Sequence, residues 1–348
     1  EVPAKINYRG KSYNASIKLK GNLSTHWETA RQWSLKVNLK SGYTILGMKE
    51  FSLTKHSERS YPSNPIISDF LSEINISTPS FQTFLVKFNG ESWGIMLAEE
   101  QISSVYMEKR KLKDSLIIKP QTQDRTLSKQ INFYNKNIDF NAHQKINYLL
   151  DKRMRLYNQN KYFKKSQNSN FSYNKHLGNI TKSISKNVDI ENYIDLQKVV
   201  DVFTVSLVWH EYHSMHSHQQ RYYYNPFSAK LEIIPTDFGH GTDKDSLNYF
   251  ENYEIFYNHI IDNQILKKTI LHNKFYKLFQ NSLTKIDKNF HFFGERLEQY
   301  CKYFTSHCRD KVKLDTYKNH LKFLIDNSFE VSSHLKSKLK LQKDIDFK

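Results

Sequence analysis

Three stretches of this sequence gather side chains able to bind metal, hold phosphate or move a proton. The first is Ile234-Pro235-Thr236-Asp237-Phe238-Gly239-His240-Gly241. A carboxylate at the end of a short strand has a fixed direction, and glycines after it let a metal or phosphate approach the backbone. Asp237 is therefore the candidate metal ligand, with an Asp-initiated turn as the plainer alternative. The second stretch is His210-Glu211-Tyr212-His213-Ser214-Met215-His216-Ser217-His218-Gln219-Gln220, which holds four of the 15 His in nine residues. Its His-Glu-x-His spacing differs from the His-Glu-x-x-His of zinc hydrolases, where one helix face presents both imidazoles. It reads as polar residues at a helix end, gathered near Asp237 and able to form a catalytic loop. The third is Lys36, preceded by the polar loop Gly21-Asn22-Leu23-Ser24-Thr25-His26-Trp27. A loop followed by a strand lysine can cradle phosphates and set an ammonium on them; a solvated surface lysine is the plainer reading.

Strands must position the third stretch. Ala15, Ile17 and Leu19 alternate with Ser16, Lys18 and Lys20, and Trp33, Leu35, Val37 and Leu39 alternate with Ser34, Lys36, Asn38 and Lys40. Such period-two patterns predict half-buried strands, with Lys36 on the polar face. Phe81–Phe88 and Ser92–Ala98 make a further pair around an Asn89-Gly90 hairpin turn. Helices are expected at Asn64–Glu73, introduced by Pro62 and Pro65, and at Ser103–Lys111. Asp189–Trp209 reads as one long apolar helix running into the His-rich stretch. Tyr222–Tyr224 and Leu231–Ile234 read as two strands joined at Asn225-Pro226 and leading to Asp237. From Tyr253 to Lys340 the pattern is helical almost throughout. The fold class is α+β: an antiparallel-sheet lobe over 1–120, a connector over 121–188, and a mainly helical lobe over 189–348. That is a two-lobed enzyme layout with a polar site between.

Composition bounds the rest. The 348 residues carry 52 Lys+Arg against 35 Asp+Glu, a formal net charge of +17. Residues 1–120 hold 17 basic and 11 acidic side chains, 121–188 hold 13 and 3, and 189–348 hold 22 and 21. The middle stretch, with 18 Asn/Gln, one Gly and no Pro, reads as an exposed basic insertion containing one helix near Ala142–Tyr157. It is either a solvated surface or a polyanion contact. No nucleic-acid motif stands out, so nucleic acid is not the expected partner. Two cysteines, Cys301 and Cys308, exclude a disulfide scaffold and a four-Cys zinc site. On one helix they would stand too far apart to bridge. No run of 18 apolar residues predicts a membrane span. The chain begins at Glu1 without Met and reads as a processed product or an excised segment.

In order along the chain, these pieces resemble the CotH-type kinase family, the spore-coat protein kinases and their relatives. Gly21-Asn22-Leu23-Ser24 with Arg31-Gln32-Trp33-Ser34-Leu35-Lys36 is similar to the family's Arg-Gly-x-x-Ser loop and Lys-rich strand. Ser57-Glu58-Arg59 before the first helix is similar to its Arg-bearing stretch. Asn89-Gly90-Glu91-Ser92-Trp93-Gly94, with Glu100 beyond, resembles its Asn-Gly-Glu strand pair, and Leu116-Ile117-Ile118-Lys119 its Leu-Tyr-Lys strand. Val188–Asp195 resembles the start of its long helix. Arg221–Pro226 and Leu231–Ile234 resemble the strands leading to the metal Asp, and Asp237-Phe238-Gly239 matches the kinase magnesium triplet.

The resemblance implies an atypical protein-kinase-like fold and magnesium-dependent phosphate transfer from ATP. The acceptor would be a hydroxyl of a protein or envelope glycan, and the location a bacterial envelope or extracytoplasmic one. Lys36, Ser24 and Arg59 would hold the nucleotide, Glu100 would orient a basic partner across the sheet, and Asp237 would ligate magnesium. The family's loop also carries a catalytic Asp and, five residues on, a metal-binding Asn. Here that segment has no Asp. Gln219 stands where the Asn is expected, with Ser214 five residues earlier; a shift of one gives Gln220 and Met215. Gln219 offers a carbonyl oxygen to the metal, and His213 or His216 an imidazole base. The chain is accordingly expected to be a variant kinase, a binding-only pseudokinase, or a polyanion binder working through 121–188.

Overall fold

The computed structural model describes residues 1–21, 26, 29–55, 62–112, 117–121, 153–156, 190–211, 213–216, 219–238, 263–301 and 311–345. Its first part is a six-stranded antiparallel sheet made of β1 (Val2–Tyr8), β2 (Lys11–Leu19), β3 (Leu35–Leu39), β4 (Glu50–Lys55), β5 (Phe81–Phe88) and β6 (Glu91–Glu100), in the order β1-β2-β3-β4-β6-β5. The alternation read in β3 fixes its faces: Leu35, Val37 and Leu39 are buried. Asn89 and Gly90 take φ of 50° and 86°, the left-handed pair that a tight hairpin turn requires. Directly opposed residues share a face. The register therefore sets Ile17, Val37, Phe51 and Glu100 in one row, and Lys18, Lys36, Ser52 and Glu99 in the row on the other face.

Two helices tie this sheet to the rest. Helix α1 (Ser63–Glu73) buries Ile66, Ile67, Phe70 and Leu71 in the helical core of the second half of the chain. Phe70 lies 5.1 Å from the Trp209 ring, and Tyr300 Oη donates to Asp69 at 3.3 Å. Helix α2 (Ser104–Lys109) starts at Ser103, whose hydroxyl accepts from the Tyr106 amide. Its Tyr106 and Met107 pack with Ile102, Ile117, Tyr223 and Ile234. The Arg110 guanidinium lies over the Tyr106 ring at 3.7 Å and donates to Glu100 Oε2 at 2.8 Å and to the Thr78 carbonyl. The α2 region is thus a strap from β6 to a second sheet.

That second sheet has the order β10-β9-β7-β8, from β7 (Ile117–Gln121), β8 (Arg153–Leu156), β9 (Arg221–Asn225) and β10 (Lys230–Ile234). The expected boundary at residue 120 falls inside β7. Within the helix expected at Ala142–Tyr157, Arg153–Leu156 instead form β8, because their backbone pairs antiparallel with β7. The remainder of 122–189 lies outside the described residues, as does Cys308.

The helix expected over Asp189–Trp209 is broken near its start. A 3-10 turn at Ile190–Asn192 precedes α3 (Leu196–Val208). Between them the backbone is claimed by β10: Leu231 N donates to Tyr193 O at 2.8 Å and Asp195 N to Leu231 O at 2.9 Å. Asp195 then caps α3 through the Lys198 amide at 3.1 Å. Helices α4 (Gln264–Leu271), α5 (Phe275–Cys301) and α6 (Lys311–Asp326) pack against α3, and α7 (Ser328–Ile345) packs on α4 and α5. Asp201 is the buried charge of α3; it meets Lys285 Nζ at 2.5 Å, Ser282 Oγ at 2.5 Å and Gln197 Nε2 at 2.8 Å.

Glu100 lies deep at the strap, 2 % exposed, and carries the Arg110 charge. Removing one partner of a buried pair leaves the other charge uncompensated. Glu100→Gln is expected to lose about 3–5 kcal/mol of stability, measured by urea unfolding.

Candidate functional site

The loop after α3 is shaped by what it buries. Trp209 sits 4.8 Å from Phe293 and 5.9 Å from Phe290, ring to ring. His210 then turns the chain with φ 54°, and Glu211 N returns to Ser206 O at 2.8 Å. In the 3-10 turn His213–Met215, Ser214 and Met215 face inward; the Ser214 hydroxyl is 3.2 Å from that of Ser206. Gln220 also faces inward, 1 % exposed. It donates to Ser214 O at 3.3 Å and accepts from Tyr222 Oη at 2.6 Å and Asn263 Nδ2 at 2.8 Å. Among the described residues of 211–220, the half-buried side chains are those of His213, His216 and Gln219. Of Gln219 and Gln220, the one whose side-chain amide meets His213 is Gln219.

Asp237 meets them from β10. Thr236 Oγ1 donates to Gln219 O, and Phe238 anchors in the helical core at 1 % exposure. Asp237 between them has φ 66°, a left-handed conformation that Asp tolerates better than most residues and that clusters at functional sites. Its Oδ2 is 3.2 Å from His213 Nε2, and the Gln219 side-chain amide is 2.8 Å from the same ring nitrogen. One imidazole nitrogen cannot both donate to a carboxylate and accept from an amide NH2. With the Gln219 amide turned so that its oxygen meets the ring, the two oxygens share the single Nε2–H as a three-centre hydrogen bond. The His216 ring lies 5.7 Å from that of His213, edge to face. His213, Gln219 and Asp237 thus converge on one spot, with His216 beside it.

The phosphate-type residues lie on the six-stranded sheet. Lys36 Nζ is 3.5 Å from Glu50 Oε2 on the polar face. Glu100 is on the opposite face and bonded to Arg110, so it does not meet Lys36. Of the adjacent Glu99 and Glu100, the one on the Lys36 face is Glu99, whose Oε2 lies 3.0 Å from Lys20 Nζ. Lys20 and Glu99 are functional candidates that the sequence reading passed over. The signal was present: alternation puts Lys20 and Lys36 on one face, and adjacent glutamates must point to opposite faces. Ser34, Ser52 and Thr54 line the same face, fully buried, and Gln101 Nε2 donates to Ser52 Oγ at 2.9 Å. Gly21 opens the loop beside Lys20 with φ +99°, and a Cβ there would stand 2.1 Å from the His26 ring. Ser24 and Arg59 lie outside the described residues.

An antiparallel sheet with a glycine loop and paired lysines, joined to a helical part with a loop–strand–Asp site, is the layout of a kinase-like protein. The chain belongs to the family of CotH kinase proteins, which it matches over residues 6–338. Inner spore coat protein H of Bacillus subtilis (strain 168) is 28% identical over 117 residues, 33% of this chain and 32% of that one. The alignment therefore spans about a third of that relative. The crystal structure of a Helicobacter pylori proinflammatory kinase, CtkA, aligns over 93% of this chain and 96% of its own at 10% identity, with a TM-score of 0.35. Among the described residues, no helix is long and apolar enough to cross a membrane.

A second imidazole pair braces the loop from behind. His210 and His320 of α6 stack at 4.3 Å with planes 12° apart, and His320 Nδ1 lies 3.2 Å from Val208 O. Burial pushes His210 down to about 4 and His320 down to about 3. The unfolded chain protonates these rings below about pH 6.5, whereas the folded one does so only near the lowered values. Stability is therefore full above about pH 6.5 and is lost as pH falls toward 4. Melting temperature is expected to drop across that window, and less so in His320→Phe.

Proposed function

We propose that this chain is a kinase that transfers the terminal phosphate of ATP to a hydroxyl of a protein or envelope glycan. The observation that carries this reading is the convergence of His213, Gln219 and Asp237 at the end of β10. A carboxylate and an amide oxygen are the hard oxygen donors that magnesium takes, and two protein ligands leave positions for phosphate oxygens and water. The residues present thus fit the metal, and a bound ion would supply charge neutralisation at the phosphates. Asp237 and Gln219 would hold it. Lys20 and Lys36, each set by a glutamate partner, would bind the nucleotide phosphates from the sheet.

In the transfer, the acceptor oxygen bonds to the γ-phosphorus as the bond from that phosphorus to the β-bridging oxygen breaks, leaving ADP. An imidazole, His213 or His216, takes the hydroxyl proton. The relative named as an inner spore coat protein supports an acceptor and a location in a spore coat or cell envelope. A binding-only pseudokinase is the second reading. It is favoured by one feature of the loop: 210–220 contains no Asp, and its one carboxylate, Glu211, is buried at 2 % exposure.

Asp237→Asn is expected to lower magnesium-dependent phosphate transfer by about 100- to 1,000-fold and to weaken magnesium-dependent nucleotide binding in parallel. Radiolabel transfer and calorimetry check these outcomes. Transfer unaltered by the substitution would refute the kinase reading. Tight nucleotide binding by the unsubstituted chain with no turnover would establish the pseudokinase instead.

A further inference from the structure

We infer that His213 is itself a ligand of the divalent cation, so that the site takes Mn²⁺ in preference to Mg²⁺ and the proton-accepting imidazole is His216. The inference rests on the cation site of the proposed kinase and names its third donor. Cis ligands of an octahedral ion with bonds of about 2.1 Å stand about 3.0 Å apart. His213 Nε2 lies 3.2 Å from Asp237 Oδ2 and 2.8 Å from the Gln219 amide, so both spacings bracket that value. A hydrogen bond to the carboxylate has a similar length, but the ring nitrogen that makes it is also the one that would face the ion.

Preorganisation supports the assignment. His213 begins a 3-10 turn pinned by the inward Ser214 and Gln220, and Asp237 is held between the Thr236 hydroxyl bond and the buried Phe238. Manganese shares magnesium's preference for carboxylate and carbonyl oxygen but, as a first-row transition ion, takes an imidazole nitrogen more readily than magnesium does, so a nitrogen in an otherwise oxygen set moves the preference from magnesium toward manganese. Among the described residues no three His, Cys, Asp or Glu side chains form a metal-holding group. The set is one imidazole, one carboxylate and one amide, which is not a closed structural zinc site. It leaves coordination positions for the phosphates. A His213 nitrogen bound to the ion cannot take the acceptor's proton, and His216 is the neighbouring ring.

The test uses the full chain with Mn²⁺ alone, followed by electron paramagnetic resonance, and with Mg²⁺ as competitor. Bound Mn²⁺ should show nitrogen-14 coupling in the spin-echo modulation, and Mn²⁺ should bind more tightly than Mg²⁺. His213→Asn, which offers an amide oxygen, should abolish the coupling and remove most of that preference while still binding Mg²⁺. His216→Ala should leave coupling and preference intact and lower phosphate transfer. Absence of nitrogen coupling in the unsubstituted chain, or coupling that survives His213→Asn, would overturn the assignment without requiring any variant to be active. If nitrogen-coupled Mn²⁺ binds but no nucleotide does, the kinase reading fails while the cation site stands.

Discussion

The side-chain amide of Gln220 is turned into the protein, and the geometry of the site hangs on it. Its nitrogen holds the Ser214 carbonyl, and its oxygen receives Tyr222 from β9 and Asn263 from the start of α4. Asn263 in turn donates to the Met215 carbonyl and caps α4 through Leu266 N. One buried network therefore fixes the loop, a strand and a helix end relative to each other. Burying these groups is tolerable because each is paired; an unpaired amide there would cost about 1–3 kcal/mol. With Gln220 held inward, the neighbouring half-buried Gln219, in a tight turn closed by its amide to His216 O, is the one whose side chain meets His213. The loop is located by its hidden residues, and its visible ones follow.

The elements were largely legible because their patterns are local. Alternation marked β2 and β3, Asn89-Gly90 marked the β5–β6 turn, and Pro62 and Pro65 marked α1. The errors arose where distant backbone took over. Leu231 claims the amide of Asp195 and the carbonyl of Tyr193, which ends any helix at 193–195, and nothing local in Val188–Asp195 announces a strand across the molecule. β8 likewise exists by pairing with β7. At the site, the residue types around Asp237 were readable, but the choice between Gln219 and Gln220 was not. Both are polar and adjacent, and only the partners Tyr222 and Asn263 decide which one is interior. Glu99 and Glu100 posed the same problem, and the register against β4 resolves it.

The candidate groups divide between two sheets. One carries lysines held by glutamates, the other ends in an Asp locked by its neighbours. The connection between them is made by α1 and by the Glu100–Arg110 strap rather than by the site residues themselves. Glu100 thus stabilises the join from the apolar face of the sheet, while Glu99 is left to set Lys20. Two adjacent carboxylates take on separate duties because a strand sends them to opposite sides.

The arrangement of α1 has a kinetic side. Asp69 meets Tyr300 across a sequence separation of 231 residues, and β7 pairs with Tyr222 and Tyr223 of β9. Contacts so far apart along the chain close slowly, because the loop entropy must be met before any of them contributes. During synthesis, Ile66, Ile67 and Phe70 of α1 leave the ribosome long before the helices that cover them. The nascent chain therefore carries an apolar helix with its burial partner still unmade. Maturation of this protein is expected to be limited by the arrival of α5, not by assembly of the first sheet.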